Sequence, residues 1–186
     1  ADDANRYLYT LHATTGDLGV VNRFSLFKLG GATVVKSSAH TTASAYIGHQ
    51  GLAIEHRAGG AVKLWASMAY EEAGASVTSK GTKAVRFNPP TSANQNIDSS
   101  VEIFNLFPEV EGSNQAVTVA VSYSGKYLIA KYSLSGNNYR VRIFKLSDLT
   151  TAGDYSNRYI HEFTIALTRD TSSGVSKALQ GIACDD

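Results

Sequence analysis

The octapeptide Gly48-His49-Gln50-Gly51-Leu52-Ala53-Ile54-Glu55 recurs in plan twice more, as Asn114-Gln115-Ala116-Val117-Thr118-Val119-Ala120-Val121 and as Leu179-Gln180-Gly181-Ile182-Ala183-Cys184-Asp185. From His49, Asn114 and Leu179 onward, each has one residue of free choice, then Gln, then a small residue, then a short apolar run. Gln50 and Gln115 are 65 residues apart, and so are Gln115 and Gln180. Two equal intervals between similar segments are the signature of a structural repeat. The repeats fall at about 48–112 and 113–177, with an incomplete unit at 1–47 and, at 178–186, the opening strand of a further unit or a closing strand.

Outward from these segments the chain reads as short strands separated by turns. Tyr7 to Ala13 and Arg23 to Leu29 are aromatic and apolar runs flanking a Thr-Thr-Gly-Asp turn, and Ala32 to Lys36 follows after Gly30-Gly31. Ser37 to Ala45 reads as a Ser/Thr/Ala-rich connection. The first Gln segment then runs to His56 and turns at Ala58-Gly59-Gly60 into Ala61 to Ala69. Lys83 to Phe87 is stopped by Pro89-Pro90, which cannot donate to a central ladder. A polar loop over Thr91 to Ser100 leads to Val101 to Phe107. The last unit offers Ala116 to Tyr123, Tyr127 to Ser133, Tyr139 to Leu146 and Tyr159 to Leu167. A second repeat signal agrees with the first, since Arg140-Val141-Arg142-Ile143-Phe144-Lys145-Leu146 matches Arg23-Phe24-Ser25-Leu26-Phe27-Lys28-Leu29. Nothing beyond a single turn at Ser147 to Thr150 has helical periodicity with caps.

The expectation is therefore an all-β chain of four-stranded antiparallel units. Such units repeating along a chain point to a β-propeller with about three blades in these 186 residues. Because propellers close with four to eight blades, further blades are expected from the same parent chain or from a homo-oligomer. The chain opens Ala1-Asp2-Asp3 without Met, which reads as a processed or excised piece.

Composition narrows the function. Seventeen Lys and Arg against sixteen Asp and Glu, without a basic cluster, give no track for a nucleic-acid polyanion. No apolar run approaches the ~20 residues of a membrane-spanning helix. Cys184 is the only cysteine, so there is no internal disulfide and no cysteine-based metal motif, and it reads as a small buried hydrophobe. No metal site and no cofactor is expected. His12, His40 and His161 are scattered, and His49 and Glu55 on one strand would stand roughly 20 Å apart, too far to share an ion. Glu55 and Arg57 share a face and read as a salt bridge. Hydrolysis of a glycan needs two carboxylates about 5–10 Å apart, and Glu55, Glu102, Glu162, Asp185 and Asp186 form no evident pair. Gly-x-Ser-x-Gly is absent.

The strand starts Gly48-His49-Gln50 and Leu179-Gln180-Gly181, together with Ala120-Val121-Ser122, Lys126-Tyr127-Leu128-Ile129-Ala130 and Phe144-Lys145-Leu146-Ser147-Asp148-Leu149, resemble the helveticin J-like proteins. The resemblance covers most of residues 7–184. It implies a propeller of about five such units and an extracellular role, secreted or virion-associated, in a bacteriocin-like antibacterial protein or a bacteriophage tail. With ten Tyr and a nearly neutral charge, the resemblance leads to non-catalytic recognition of a bacterial surface polysaccharide. The alternative is a tailspike-type glycan-cleaving enzyme whose catalytic acids lie partly outside this chain. Candidate ligand groups are His49, Gln50, Asn114, Gln115 and Gln180 at the channel mouth, with Trp65 and Tyr132 as stacking rings. Against each stands a structural role: the Gln residues can satisfy backbone groups of a neighbouring blade, and Trp and Tyr pack on strands for their own sake.

Overall fold

The computed structural model describes residues 5–13, 19–29, 32–43, 46–68, 83–92, 95–110, 117–134, 138–166 and 182–183. Twelve strands are found there: β1 (Tyr7–Ala13), β2 (Gly19–Leu29), β3 (Ala32–Ala43), β4 (Ile47–His56), β5 (Val62–Met68), β6 (Ala84–Phe87), β7 (Glu102–Asn105), β8 (Thr118–Val121), β9 (Tyr127–Ser133), β10 (Asn138–Lys145), β11 (Gly153–Asp154) and β12 (His161–Ala166). Helical structure among them is limited to single 3₁₀ turns, one of them at Leu146–Asp148 close to the turn expected from the sequence.

The strands form three sheets: β1-β2-β3, then β11-β7-β6-β5-β4, then β12-β10-β9-β8. Neighbours pair antiparallel throughout, except that β11 joins β7 in parallel. The all-β expectation and the four-stranded antiparallel unit are thus seen directly in the second and third sheets. Among the described residues the sheets make a stack and not a closed ring.

Two apolar layers hold the stack together. Side chains alternate along each strand, so the middle sheet sends Leu64, Ala66, Met68, Val85 and Phe87 to one side, where they meet Tyr9 and Val21 of the first sheet. It sends Ala53, Trp65, Ala84 and Phe104 to the other, where they meet Val119, Leu128, Ala130, Tyr132 and Phe144 of the third. A sheet covered on both faces explains why successive residues are buried from Leu64 to Met68 in β5 and throughout β6. Phe104 lies between Trp65 and Tyr155, its ring centroid 4.7 and 5.6 Å from theirs.

Two local departures from the sequence reading have physical causes. The Ser/Thr/Ala-rich segment expected to be a connection is strand as far as Ala43, because its backbone continues the ladder with β2 across an irregularity between Phe24 and Leu26. In β4 the register with β5 shifts between Ile47 and Leu52, at Gly51. That residue has φ of +68°, and a Cβ there would stand 2.8 Å from Thr118 Cγ2 and 3.1 Å from the Val119 nitrogen. Glycine alone permits both the left-handed backbone and the close approach of β4 to β8.

Candidate functional site at the edges of β4 and β8

Among the described residues β4 and β8 are the terminal strands of their sheets, and they lie against each other. Between them lies a cleft of about 400 Å³, with Leu52, Ala53, Ile54 and His56 on one wall and Ala120 to Gly125 on the other. Ile182 and Ala183 complete its lining. These are the apolar runs that follow Gln50, Gln115 and Gln180, so all three repeated segments converge here. A second cleft of about 610 Å³ adjoins it, between Glu55 to Ala58 and Leu146 to Thr150. His56 and Gly125 border both.

The β8–β9 turn shapes the outer wall. Ser122 N–H donates to the Tyr127 carbonyl at 2.9 Å, and Gly125 N–H to the Ser122 carbonyl at 2.9 Å, with Gly125 at φ +70°. Ser122 Oγ accepts from Tyr127 N–H at 3.2 Å and lies 3.3 Å from Ser124 Oγ. This tight turn lifts the Tyr123 ring clear of the protein, 91% exposed. His56 and the guanidinium of Arg57 stand exposed opposite it.

Beneath the second cleft lies a closed polar network. Glu55 is buried; its Oε2 accepts from Trp65 Nε1 at 2.7 Å, and its Oε1 from Arg57 Nε and Nη2 at 2.7 and 2.6 Å. The Glu55–Arg57 pair expected from the sequence is therefore present. Arg86 is 1% exposed. It donates to both oxygens of Glu102 at 2.9 and 2.8 Å, and to the Leu149 and Thr150 carbonyls, in the segment between β10 and β11, at 2.6 and 2.9 Å. Its hydrogen bond to Glu102 holds that carboxyl below its ordinary value of 4.5. The third sheet answers in kind. Arg142 donates to Glu162 at 2.6 Å and to the carbonyl of Leu106, just beyond β7, at 2.7 Å, and pairs with Glu109 at 2.9 Å. Every acid in these networks is paired with an arginine. Among the described residues no group of three His, Cys, Asp or Glu could hold a metal.

Of the residues expected to bind ligand, Gln50, Trp65 and Tyr132 are described with their side chains. Gln50 is half-buried at the start of β4, where its N–H leaves the ladder and donates to Ser67 Oγ at 3.1 Å. His49 is in β4, its side chain outside the described set, and Asn114, Gln115 and Gln180 lie wholly outside it, as do Tyr70, Cys184, Asp185 and Asp186. Trp65 is 0% exposed, between Glu55 and Phe104 in the core. Tyr132 is buried too, its ring edge-on to Phe107 at 4.8 Å, its hydroxyl 3.4 Å from Glu109, and its acidity weakened first by desolvation and then by that carboxylate. Neither ring offers a face to solvent. Sequence reasoning missed His56 as a wall residue and Tyr123 as the exposed ring; the Ser-Gly turn following Tyr123 was the available signal.

The described fold is of the all-β class, a stack of predominantly antiparallel sheets. No protein-family model and no curated protein matches the chain.

Proposed function

We propose that the chain recognises a glycan of the bacterial cell surface without cleaving it, through the cleft between β4 and β8. The observation that carries this reading is the convergence of the three repeated segments on one groove beside a fully presented aromatic ring. Sugar recognition needs an aromatic face for pyranose C–H groups and fixed hydroxyl and imidazole partners for the OH groups; Tyr123, Ser124 and His56 supply them. A polar wall rising from an apolar floor is the usual build of a small-ligand site. The commitment of Glu55, Glu102, Glu109 and Glu162 to arginines argues against hydrolysis by these acids.

In the same reading the sheets are consecutive blades of a β-propeller of the helveticin J-like kind, completed by further sheets from a longer parent chain or another copy. The strand order repeated in the second and third sheets and the burial of the middle one on both faces support it. The groove would then be part of the central channel, and the protein a secreted or virion-associated antibacterial or phage-tail component. A glycan array, followed on the hits by titration and product analysis, tests the function. Tyr123→Ala and His56→Ala are expected to weaken binding roughly tenfold each, about 1.4 kcal/mol, with unchanged melting temperature. Unaltered affinity in both variants removes the groove from consideration, and reducing ends accumulating with time would replace recognition by catalysis.

A further inference from the structure

The outer edges of the second and third sheets are treated differently. In the middle sheet the outermost long strand, β7, is covered: β11 pairs with it in parallel, and Tyr155 N–H donates to the Asn105 carbonyl at 2.9 Å. In the third sheet the outermost strand, β12, pairs among the described residues only with β10. Two apolar side chains along this edge segment are also exposed. Ile160 and Phe163 are 48% and 39% exposed. Edge strands are ordinarily protected by charge, proline or a covering segment because they template further pairing. Segment 160–166 has no proline and no lysine, and its one carboxylate, Glu162, is held by Arg142 at 2.6 Å.

We propose that two copies of this chain join edge to edge through β12, making one continuous antiparallel sheet with its two-fold axis at Phe163. The sequence of the strand selects the occupant, because it is complementary to itself. Opposed residues of an antiparallel pair point to the same side, so the axis must fall on a residue. Centred on Phe163, the pairing sets Phe163 against Phe163 of the other copy, Glu162 against Thr164, His161 against Ile165 and Ile160 against Ala166. No like charges oppose each other, and an aromatic pair occupies the centre, the kind of cross-strand contact that stabilises sheets. Hydrogen bonds along the edge supply affinity, and the exposed Ile160 and Phe163 supply the apolar contact that an isolated edge lacks.

Sedimentation equilibrium on the full chain is expected to give twice 19.9 kDa, falling to the single mass on dilution. Phe163→Lys places two ammonium groups directly opposite and should raise the dissociation constant at least tenfold; Ile160→Lys gives the same reading should the first variant fold poorly. Register is read by cross-linking. With Cys184→Ser removing the sole cysteine, Phe163→Cys should oxidise to a covalent dimer, since directly opposed Cα atoms roughly 4.5–5.5 Å apart suit a disulfide. Thr164→Cys, facing Glu162, should not. A wild-type chain that stays monomeric at every concentration overturns the proposal, as does a dimer indifferent to both lysine variants or one that cross-links through position 164 instead of 163.

Discussion

Arg86 concentrates the cost and the purpose of burying a charge. Its guanidinium is desolvated, lies 4.9 Å from the Phe104 centroid, and satisfies Glu102 and two carbonyls of the segment between β10 and β11. Removing one member of such a set leaves the others buried and unpaired, so Arg86→Ala should destabilise the fold by about 3–5 kcal/mol, measured by denaturant unfolding. Glu102 gives the same network a pH dependence. Its carboxyl is held below 4.5 by the hydrogen bond from Arg86, and then by the charges of Arg86 and Lys63. A depressed acid stabilises the folded state above its unfolded value and loses that contribution as pH falls through the folded one. Stability should therefore decline as pH drops below about 4.5, and less steeply in Glu102→Gln, as followed by denaturation midpoints across the acid range.

At the scale of single strands, β4 shows what a glycine can decide. Gly51→Ala would force a side chain into a left-handed conformation, costing about 1–2 kcal/mol, and drive it into Thr118. The loss of stability should exceed that figure and should be accompanied by reduced glycan binding, because the same displacement widens the groove; thermal unfolding and titration of one preparation check both. The strands themselves were largely legible. Tyr7–Ala13 and Tyr127–Ser133 fall where alternating aromatic and β-branched residues put them. What was hidden was everything that depends on a partner far along the chain. Gly153–Asp154 has only two residues and no apolar pattern, and becomes a strand because Asn105 offers an edge. The rungs Arg86–Glu102 and Arg142–Glu162 recur at intervals of 56 and 60 residues, so a search tuned to 65 passes over them. Trp65 illustrates the opposite error: an aromatic residue reads alike whether its ring is bound for a ligand or for the core, and only the position of Glu55 and Phe104 resolves it.

For the molecule as a whole, the parallel addition of β11 to β7 has a consequence for how the chain acquires its structure. The middle sheet is interrupted in sequence: its last strand comes after β8, β9 and β10 of the next one. During synthesis from the N-terminus, the outer margin of that sheet stays open until residues 153 and 154 have been made, by which time three strands of its neighbour already exist. The last strand of the third sheet, β12, comes only after that. The seam between β7 and β11 therefore closes late, and a nascent chain halted before Gly153 carries an unsealed β7 edge available to whatever strand it meets.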